Sequence, residues 1–439
     1  MNIRSRRNFL KYSAGIGLSL PFLTSFADKQ QDKQYPKVLF RLGWDIKDNN
    51  DIAYIPALYR LAQRTIMNTE FYFWFQDSDS KVLEMLNKNF VNLKMVTGEI
   101  DASGQPSTDE LQTTLSESDL LIYSTGAATQ VDWANKGDGG IETRSLQYCL
   151  DNKIPYAIMG IGEIPIDNTT QDRFLKLANG ANYIYSTSSL IDKKLKDNNI
   201  KISKLQISPN PLFAFDLRSD SSSRDILESY NLQGKDFLTI EFRAVGLNEE
   251  EVINYSKKIA SLITAWVEAT EKYVLILPTH PEDIDPTFNH IYNPLSDDIK
   301  NKVVFLQDKL MPDLAASIYE KSRVVSSMSL FPVCSAIQAG VPAYFLSTID
   351  LSERSKTIED AGLKNTIQEL DSKSDKELAE ILLEIDRKYL SGIIESDKAR
   401  EYAMKKLVSQ FGDINRYINK LADKMNSSEK KDKKKKKKG

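Results

Sequence analysis

The sequence is poor in the side chains that usually carry acid–base, thiol and metal chemistry. Its 439 residues include two histidines, His280 and His290, and two cysteines, Cys149 and Cys334. No spacing among them suggests a zinc site, and the sequence indicates no cofactor. Because the cysteines lie in predicted helices of different halves of the chain, we expect two buried thiols rather than a disulfide. Any proton transfer therefore has few imidazoles to use.

The sequence also lacks long hydrophobic runs and a basic body. No apolar run reaches the ~20 residues that span a bilayer, so we expect no stable membrane span in the mature chain. The formal net charge is −3, but the cationic side chains of residues 1–27 and the lysines of residues 429–439 offset a larger negative charge on the residues between them. An acidic body argues against nucleic-acid binding. With 41% hydrophobic residues, the chain is long enough for two domains and is neither fibrous nor disordered.

The N-terminal residues match a twin-arginine export signal. Residues 5–11 read Ser-Arg-Arg-Asn-Phe-Leu-Lys, a mildly apolar segment follows, and residues 25–27, Ser-Phe-Ala, suit signal-peptidase cleavage. The alternative is an N-terminal amphipathic helix or membrane anchor, but the apolar segment is too short to span a bilayer. We expect residues 1–27 to direct export by the twin-arginine machinery to the periplasm or cell envelope, and the mature chain to begin near Asp28.

Short apolar runs alternate with amphipathic helical patterns in the rest of the chain. This order predicts an α/β protein with two doubly wound Rossmann-like domains of parallel sheet that face a cleft. The predicted domains are residues 35–217 and 225–370, with a polar hinge between them. Helices are expected over residues 371–426, crossing back onto the first domain, and a disordered Lys-rich tail over residues 427–439. The predicted strands are 37–43, 69–75, 93–97, 119–124, 155–160 and 182–185 in the first half, and 237–242, 273–277, 303–306 and two strands within 324–346 in the second half.

Small or polar residues follow several predicted strands of the first half, at the edge where an open α/β sheet places its ligand. Asp51 follows the first strand, Gly126 the fourth, and Gly162 and Glu163 the fifth. Glycine lets a ligand approach the backbone, and Glu163 can accept a sugar hydroxyl. For Asp51 the alternative role is a helix N-cap, worth about 1 kcal/mol. We predict that this edge binds substrate.

The order of these motifs resembles the polysaccharide pyruvyl transferase family, whose fold is similar to that of GT-B glycosyltransferases. The similarity covers most of residues 37–365. The matching segments are residues 48–51 (Asp-Asn-Asn-Asp, where the family has Asn-x-Gly-Asp), Thr125-Gly126, residues 160–162 (Gly-Ile-Gly), 185–190 (where the family has Arg-Asp-x-x-Ser), 208–213, 339–342 (Ala-Gly-Val-Pro), and Lys356 ahead of residues 361–363 (Ala-Gly-Leu).

The resemblance implies transfer of pyruvyl from phosphoenolpyruvate to an envelope glycan, with basic residues neutralising the phosphate and a histidine as general acid. Counted back from Gly340, the family's arginine and histidine positions fall on Ser329 and Phe331. Phenylalanine cannot transfer a proton. Phosphoenolpyruvate is also cytoplasmic, whereas an exported protein works outside. An aromatic ring at position 331 would instead stack on a sugar ring or pack under Pro332.

Three other side chains are candidates for the missing chemistry: His280 and Lys356 as catalytic groups and Arg243 as a substrate-binding group. Each has a structural alternative, namely a loop cap for His280, a solvated helix charge for Lys356 and a surface ion pair for Arg243. Backbone N–H groups at Val333 and Cys334 are a further candidate for holding an anion at a helix N-terminus.

Three hypotheses remain open at this point. The first is an active or divergent pyruvyl transferase. The second is a non-catalytic exported protein that binds a glycan or another anionic ligand in the inherited cleft. The third is the solute-binding protein of a transporter, which also has two α/β domains but usually crosses its hinge two or three times.

Overall fold

The computed structural model describes residues 35–42, 48–75, 79–90, 93–124, 140–161, 168–201, 205–348 and 352–436. The predicted N-terminal export signal and three candidate residues, Gly126, Gly162 and Glu163, lie outside the described residues. Both sheets of the described chain belong to one compact unit, Tyr35–Gly439.

The first sheet is built from seven parallel strands. They are β1 (Lys37–Leu42), β2 (Glu70–Phe75), β3 (Lys94–Thr97), β4 (Leu120–Ser124), β5 (Tyr156–Ile161), β6 (Tyr183–Ser186) and β7 (Leu205–Ile207). Their spatial order is β3-β2-β1-β4-β5-β6-β7, so the order reverses between β1 and β4. Strands β4 and β5 are buried along their whole length, as expected of central strands covered by helices on both faces.

The second sheet has six parallel strands. They are β8 (Phe237–Glu241), β9 (Tyr273–Ile276), β10 (Val303–Phe305), β11 (Val324–Ser327), β12 (Ala343–Ser347) and β13 (Ile367–Glu369). Their order is β10-β9-β8-β11-β12-β13, and it reverses between β8 and β11. Ligands of open α/β sheets bind at the carboxyl ends of the strands beside such a reversal.

Thirteen helices of eight residues or more connect these strands in the described chain. They are α1 (Asn49–Thr65), α2 (Ser80–Asn89), α3 (Asp109–Glu117), α4 (Gly140–Asp151), α5 (Asn168–Gly180), α6 (Ser189–Asp197), α7 (Asp220–Ser229), α8 (Glu249–Thr270), α9 (Pro312–Tyr319), α10 (Leu330–Gln338), α11 (Ser352–Asp360), α12 (Asp375–Arg387) and α13 (Tyr389–Lys436). No helix among the described residues is long and apolar enough to cross a bilayer.

The last helix, α13, returns to the first sheet as the sequence predicts. Ser208 Oγ donates to Gln410 Oε1 at 2.5 Å, and the rings of Tyr183 and Tyr417 meet edge to face. Helix α13 continues to Lys436 and so includes most of the tail for which the sequence predicts disorder. Lysine and glutamate are good helix formers, and extending an existing helix needs no new nucleus.

The two sheets share a continuous apolar core. One cluster of buried side chains runs from the first sheet through α1 to α9, α10 and α13, and within it Phe215 packs edge to face on Phe331. The predicted hinge is not a free linker, because Ser219 N donates to Ser317 Oγ at 2.7 Å and Arg218 Nε to Glu320 Oε2 at 2.8 Å. A large hydrophobic interface of this kind limits independent domain motion.

Candidate functional site

The candidate site lies where the carboxyl ends of the second sheet meet helix α1 of the first. Arg243, just after β8, donates from Nη1 to Asp48 Oδ2 at 2.7 Å, and both side chains are almost fully buried. Burial alone would raise the pKa of Asp48, but the guanidinium and the hydrogen bonds from Asn50 hold it below its ordinary value. The sequence-predicted substrate group Arg243 is therefore part of a buried ion pair between the two halves of the molecule.

Two asparagines of α1 strengthen the same junction. Asn50 Oδ1 accepts the backbone N–H of Phe331 at 2.8 Å, and Asn49 Nδ2 donates to the carbonyl of Leu310 at 2.8 Å. The backbone N–H of Asn49 also donates to the carbonyl of Thr279. Helix α1 begins here because the Asp48 side chain caps it, accepting the N–H of Asn50. The cap role that the sequence offered as the alternative for Asp51 thus belongs to Asp48.

Glu241, the last residue of β8, is the most heavily hydrogen-bonded side chain at this edge. It is 1% exposed. Its donors are Thr279 Oγ1 and Ser329 Oγ to Oε1, both at 2.8 Å, and Ser327 Oγ at 2.7 Å, Met328 N at 3.2 Å and Ser329 N at 3.2 Å to Oε2. The polar side chain of Ser329 is thereby turned inward, onto a carboxylate of its own domain.

Phe331 is fully buried in the first turn of α10. Its ring lies edge to face on Phe215, with centroids 5.2 Å apart, and near Tyr319 at 6.0 Å. Of the two roles expected for this ring, the structure shows packing. Ser329 and Phe331 are both buried, and their role in substrate binding stays a prediction. Cys334, whose N–H the sequence offered to an anion, is likewise buried inside the helix.

Asp283 is a buried carboxyl group beside Arg243. Its Oδ1 accepts the N–H groups of Ala244 at 2.7 Å and Val245 at 3.1 Å, and its Oδ2 is buried with no hydrogen-bond partner. Burial raises the pKa of Asp283 to about 7, the charge of Arg243 opposes this shift and the charge of Glu241 adds to it. Asp283 is therefore the described carboxyl group at this edge that changes charge near neutral pH.

His280 lies at the carboxyl end of β9 and is 5% exposed. Its Nδ1 accepts the backbone N–H of Glu282 at 3.1 Å, so the side chain caps the short 3₁₀ turn Pro281–Asp283. A neutral imidazole that accepts through Nδ1 carries its proton on Nε2. This contact is the loop cap that the sequence offers as the structural alternative for His280. The catalytic role of His280 stays a prediction.

Helix α11 supplies a second set of contacts between the two halves. Thr357 Oγ1 donates to the carbonyl of Thr187, and Asp360 accepts the N–H of Ser189 at 2.6 Å, at the start of α6. Lys356 pairs with Glu359 and Asp360 of its own helix, and the hydrogen bond to Glu359 raises the pKa of Lys356. Lys356 therefore stays protonated, which suits a cation and not a base.

Arg354 is the residue of α11 that sequence reasoning missed. It lies three residues before Thr357 and so on the same face of the helix, the face that contacts the first sheet. It is 5% exposed. Burial raises the pKa of the Tyr54 hydroxyl. Asn210 and the positive charge of Arg354 oppose this shift, and the negative charge of Asp51 adds to it. Arg354 and Asp51 are thus charged groups close enough to the Tyr54 hydroxyl to affect its pKa.

Other features of the described chain lie away from this edge. A cavity of about 310 Å³ is lined by Pro342, Leu363, Ile385 and Gly392. Pro342 precedes β12, so this cavity is at the amino end of the strands, opposite the ion pair. Cys149 and Cys334 are buried and unpaired, as expected. Among the described residues no acidic, histidine or cysteine side chains cluster in a way that could hold a metal ion.

Comparisons with known proteins identify the fold. No family profile and no curated protein matches the sequence. The structure is similar to MnaA of S. aureus with UDP (TM-score 0.60, 14% identity, 88% of this chain and 97% of that chain). It is also similar to UDP-GlcNAc 2-epimerase of Methanocaldococcus jannaschii (TM-score 0.56, 15% identity, 79% of this chain and 92% of that chain). A third similar structure is HepE of Anabaena with UDP and glucose (TM-score 0.54, 12% identity, 90% of this chain and 100% of that chain). The chain therefore has the GT-B-like α/β fold that the sequence predicts.

Proposed function

We propose that this chain is an exported, GT-B-like protein that binds a glycan between its two sheets without transferring pyruvyl to it at an enzymatic rate. The observation that carries this proposal is the burial of Phe331. Pyruvyl transfer from phosphoenolpyruvate turns a methylene carbon into a methyl group, so the reaction needs a proton donor. The position at which the resemblance expects that donor holds an aromatic ring packed on Phe215.

The sugar ligand is supported by the polar side chains near Tyr54. Asp51 and Arg354, which are 8% and 5% exposed, are a carboxylate and a guanidinium near the buried hydroxyl of Tyr54. Such side chains recognise sugar hydroxyls by accepting and donating several hydrogen bonds at once. A GT-B-like neighbour, HepE, holds UDP and glucose, which is consistent with a sugar ligand for this fold.

The second candidate function is pyruvyl transfer itself, from phosphoenolpyruvate to an envelope glycan with release of inorganic phosphate. The observation that favours it is Asp283, whose pKa of about 7 suits a proton donor at neutral pH. Arg243 and His280 lie at the same strand ends. The lost histidine would then be replaced by a group that follows β9, two strands away from β11 in the sheet.

Export by the twin-arginine route belongs to the same proposal. It places the protein in the periplasm or cell envelope, where glycans are present and phosphoenolpyruvate is not. A protein that only binds glycans needs no phosphoenolpyruvate there.

The test compares binding with turnover on the purified mature protein. Titration with envelope oligosaccharides should raise the unfolding free energy by about 1.4 kcal/mol once the ligand exceeds its dissociation constant roughly tenfold. Incubation with phosphoenolpyruvate and a pyruvylatable oligosaccharide should release no phosphate above background. Enzymatic phosphate release that is lost in Asp283→Asn or His280→Ala would support the second function instead. Absence of glycan binding together with absence of turnover would reject both.

A further inference from the structure

We propose that the Glu241 carboxylate is a built-in occupant of the anion-binding position at the start of α10, and that it excludes phosphate-bearing ligands from the carboxyl edge of the second sheet. This inference rests on the proposed function, because it narrows the ligand to a glycan without a nucleotide phosphate at this edge. Glu241 is in this sense a specificity-determining residue.

The position of Glu241 is the first step. Glu241 ends β8 and is directly opposite Ser327, which ends β11. The strand order reverses between these two strands. The carboxyl ends of strands beside such a reversal, followed by a helix N-terminus, are where α/β folds bind phosphate groups. In this chain the two carboxylate oxygens of Glu241 occupy the position where such folds bind a phosphate group.

The donors around Glu241 are the second step. Three hydroxyls and two backbone N–H groups converge on its two oxygens at 2.7 to 3.2 Å. This is the set of neutral donors that a phosphate would require. The N–H of Ser329 is shared with Ser327 Oγ at 2.8 Å, and the other four groups donate to the carboxylate. An incoming phosphate would therefore have to displace a buried side chain that cannot leave the domain.

Two positions in the first turn of α10, Phe331 and Pro332, add no free N–H for an anion. Phe331 N donates to Asn50 Oδ1 across the junction, and Pro332 has no N–H to offer. A second anion placed beside Glu241 would also meet a like charge in a buried setting, where repulsion is only weakly screened. S. aureus MnaA and Anabaena HepE hold UDP. This chain should reject UDP at this edge.

The alternative is that Glu241 only ties β8 to α10 and has no bearing on ligand choice. The two roles differ in one measurable way. If Glu241 occupies an anion position, removing its carboxylate leaves a hole lined with donors that small anions refill. If its role is only structural, the loss of stability is the same in every buffer salt.

The experiment is anion rescue of Glu241→Ala in the full mature chain. Melting temperatures are measured with rising phosphate or formate, and with chloride at matched ionic strength. We expect the variant to melt below the unmodified protein and to recover several degrees in phosphate or formate but not in chloride. The unmodified protein should show only the small general stabilisation that phosphate gives folded proteins, and the recovery of the variant is measured relative to it. Glu320→Ala, which removes the carboxylate that pairs with Arg218, is the matched control and should show no anion-specific recovery.

Glu241→Gln keeps the shape of the side chain, so its amide still fills the position and this variant should neither recover in phosphate nor gain UDP binding. Glu241→Ala should bind UDP at least tenfold more tightly than the unmodified protein, measured by calorimetry; if this variant is unfolded in chloride, the titration is read as anion-specific recovery of folded protein. The inference is overturned if the unmodified protein binds phosphate or UDP as tightly as Glu241→Ala, or if Glu241→Ala responds to neither. Glycan titration of the unmodified protein separates the two proposals: rescue by phosphate without glycan binding refutes the proposed function and leaves the role of Glu241 standing.

Discussion

Arg243 Nη1 lies 2.7 Å from Asp48 Oδ2, and this pair links the segment just after β8, in the second half of the molecule, to the cap of helix α1 in the first half. The ion pair is buried beneath Asn50 and beside Asp283, so neither charge has water to replace its partner. The contact couples the stability of the interface between the sheets to the charge state of a few side chains.

The first prediction concerns this pair. Arg243→Met or Asp48→Asn should each lower the unfolding free energy by about 3 to 5 kcal/mol, because each leaves a buried charge without its partner. The double variant should be more stable than the sum of the single losses predicts. Urea denaturation measures all three. Lys376→Ala, at an exposed pair with Glu380, is the control and should cost less than about 1 kcal/mol. A similarly small loss at Arg243 would contradict the buried pair.

The second prediction is a pH dependence that comes from Asp283. Its pKa is about 7 in the folded protein, above the ordinary value of 3.8. The folded state therefore binds more protons than the unfolded state between these values, and the stabilisation from this group is lost as pH rises towards 7. The slope is at most about 1.4 kcal/mol per pH unit. Denaturation at pH 5, 6 and 7 should show this fall, and Asp283→Asn should flatten it. An unchanged slope in the variant would assign the effect to other groups.

The strands of the central sheets could be predicted from the sequence because buried parallel strands are continuous apolar runs. β4 and β5 begin within a residue of their predicted starts. The edge strands β7 and β13 were missed, since each has three residues with a glutamine at its centre. Helix α1 begins at Asn49, two residues before the Asp51 that the sequence offers as its cap, because contacts with the second half of the chain bury its polar first turn.

The candidate site was less predictable than the fold. Arg243 and His280 were found because each follows an apolar strand. Glu241 offered a signal that was not used, an acidic residue at the end of the apolar run Phe-Leu-Thr-Ile. Nothing local marks Arg354, since its burial depends on how α11 docks on the first sheet. The inward turn of Ser329 and Phe331 likewise follows from contacts with distant residues.

The third prediction separates Arg354 from Lys356. Arg354→Ala should weaken glycan binding roughly 10- to 100-fold, because hydrogen bonds to a charged group are worth about 1.5 to 3 kcal/mol. Lys356→Ala should change affinity less than threefold, since Lys356 is bound to acidic residues of its own helix. Calorimetric titration of both variants with the same oligosaccharide measures the difference. Equal losses would show that net charge matters and position does not.

The fourth prediction concerns export. Replacing Arg6 and Arg7 together by lysine should leave the precursor in the cytoplasm, because the paired arginines are the recognised feature of the signal. Fractionation of cells that produce the tagged protein measures this, with the unmodified chain as control. Normal periplasmic yield from the variant would rule out the twin-arginine route. Mass spectrometry of the exported chain should place the new N-terminus near Asp28.

The fifth prediction returns to Phe331 and distinguishes a lost catalytic position from a core position. Phe331→Leu should cost about 1 to 2 kcal/mol of stability, because leucine fills most of the same apolar space. Phe331→His should cost more, since the imidazole would be buried against Phe215 and Tyr319 without a hydrogen-bond partner. Neither variant should release phosphate from phosphoenolpyruvate. Turnover gained in Phe331→His would mean that the ring can reach a substrate, and the proposal that this chain binds glycans without pyruvyl transfer would then lose its main support.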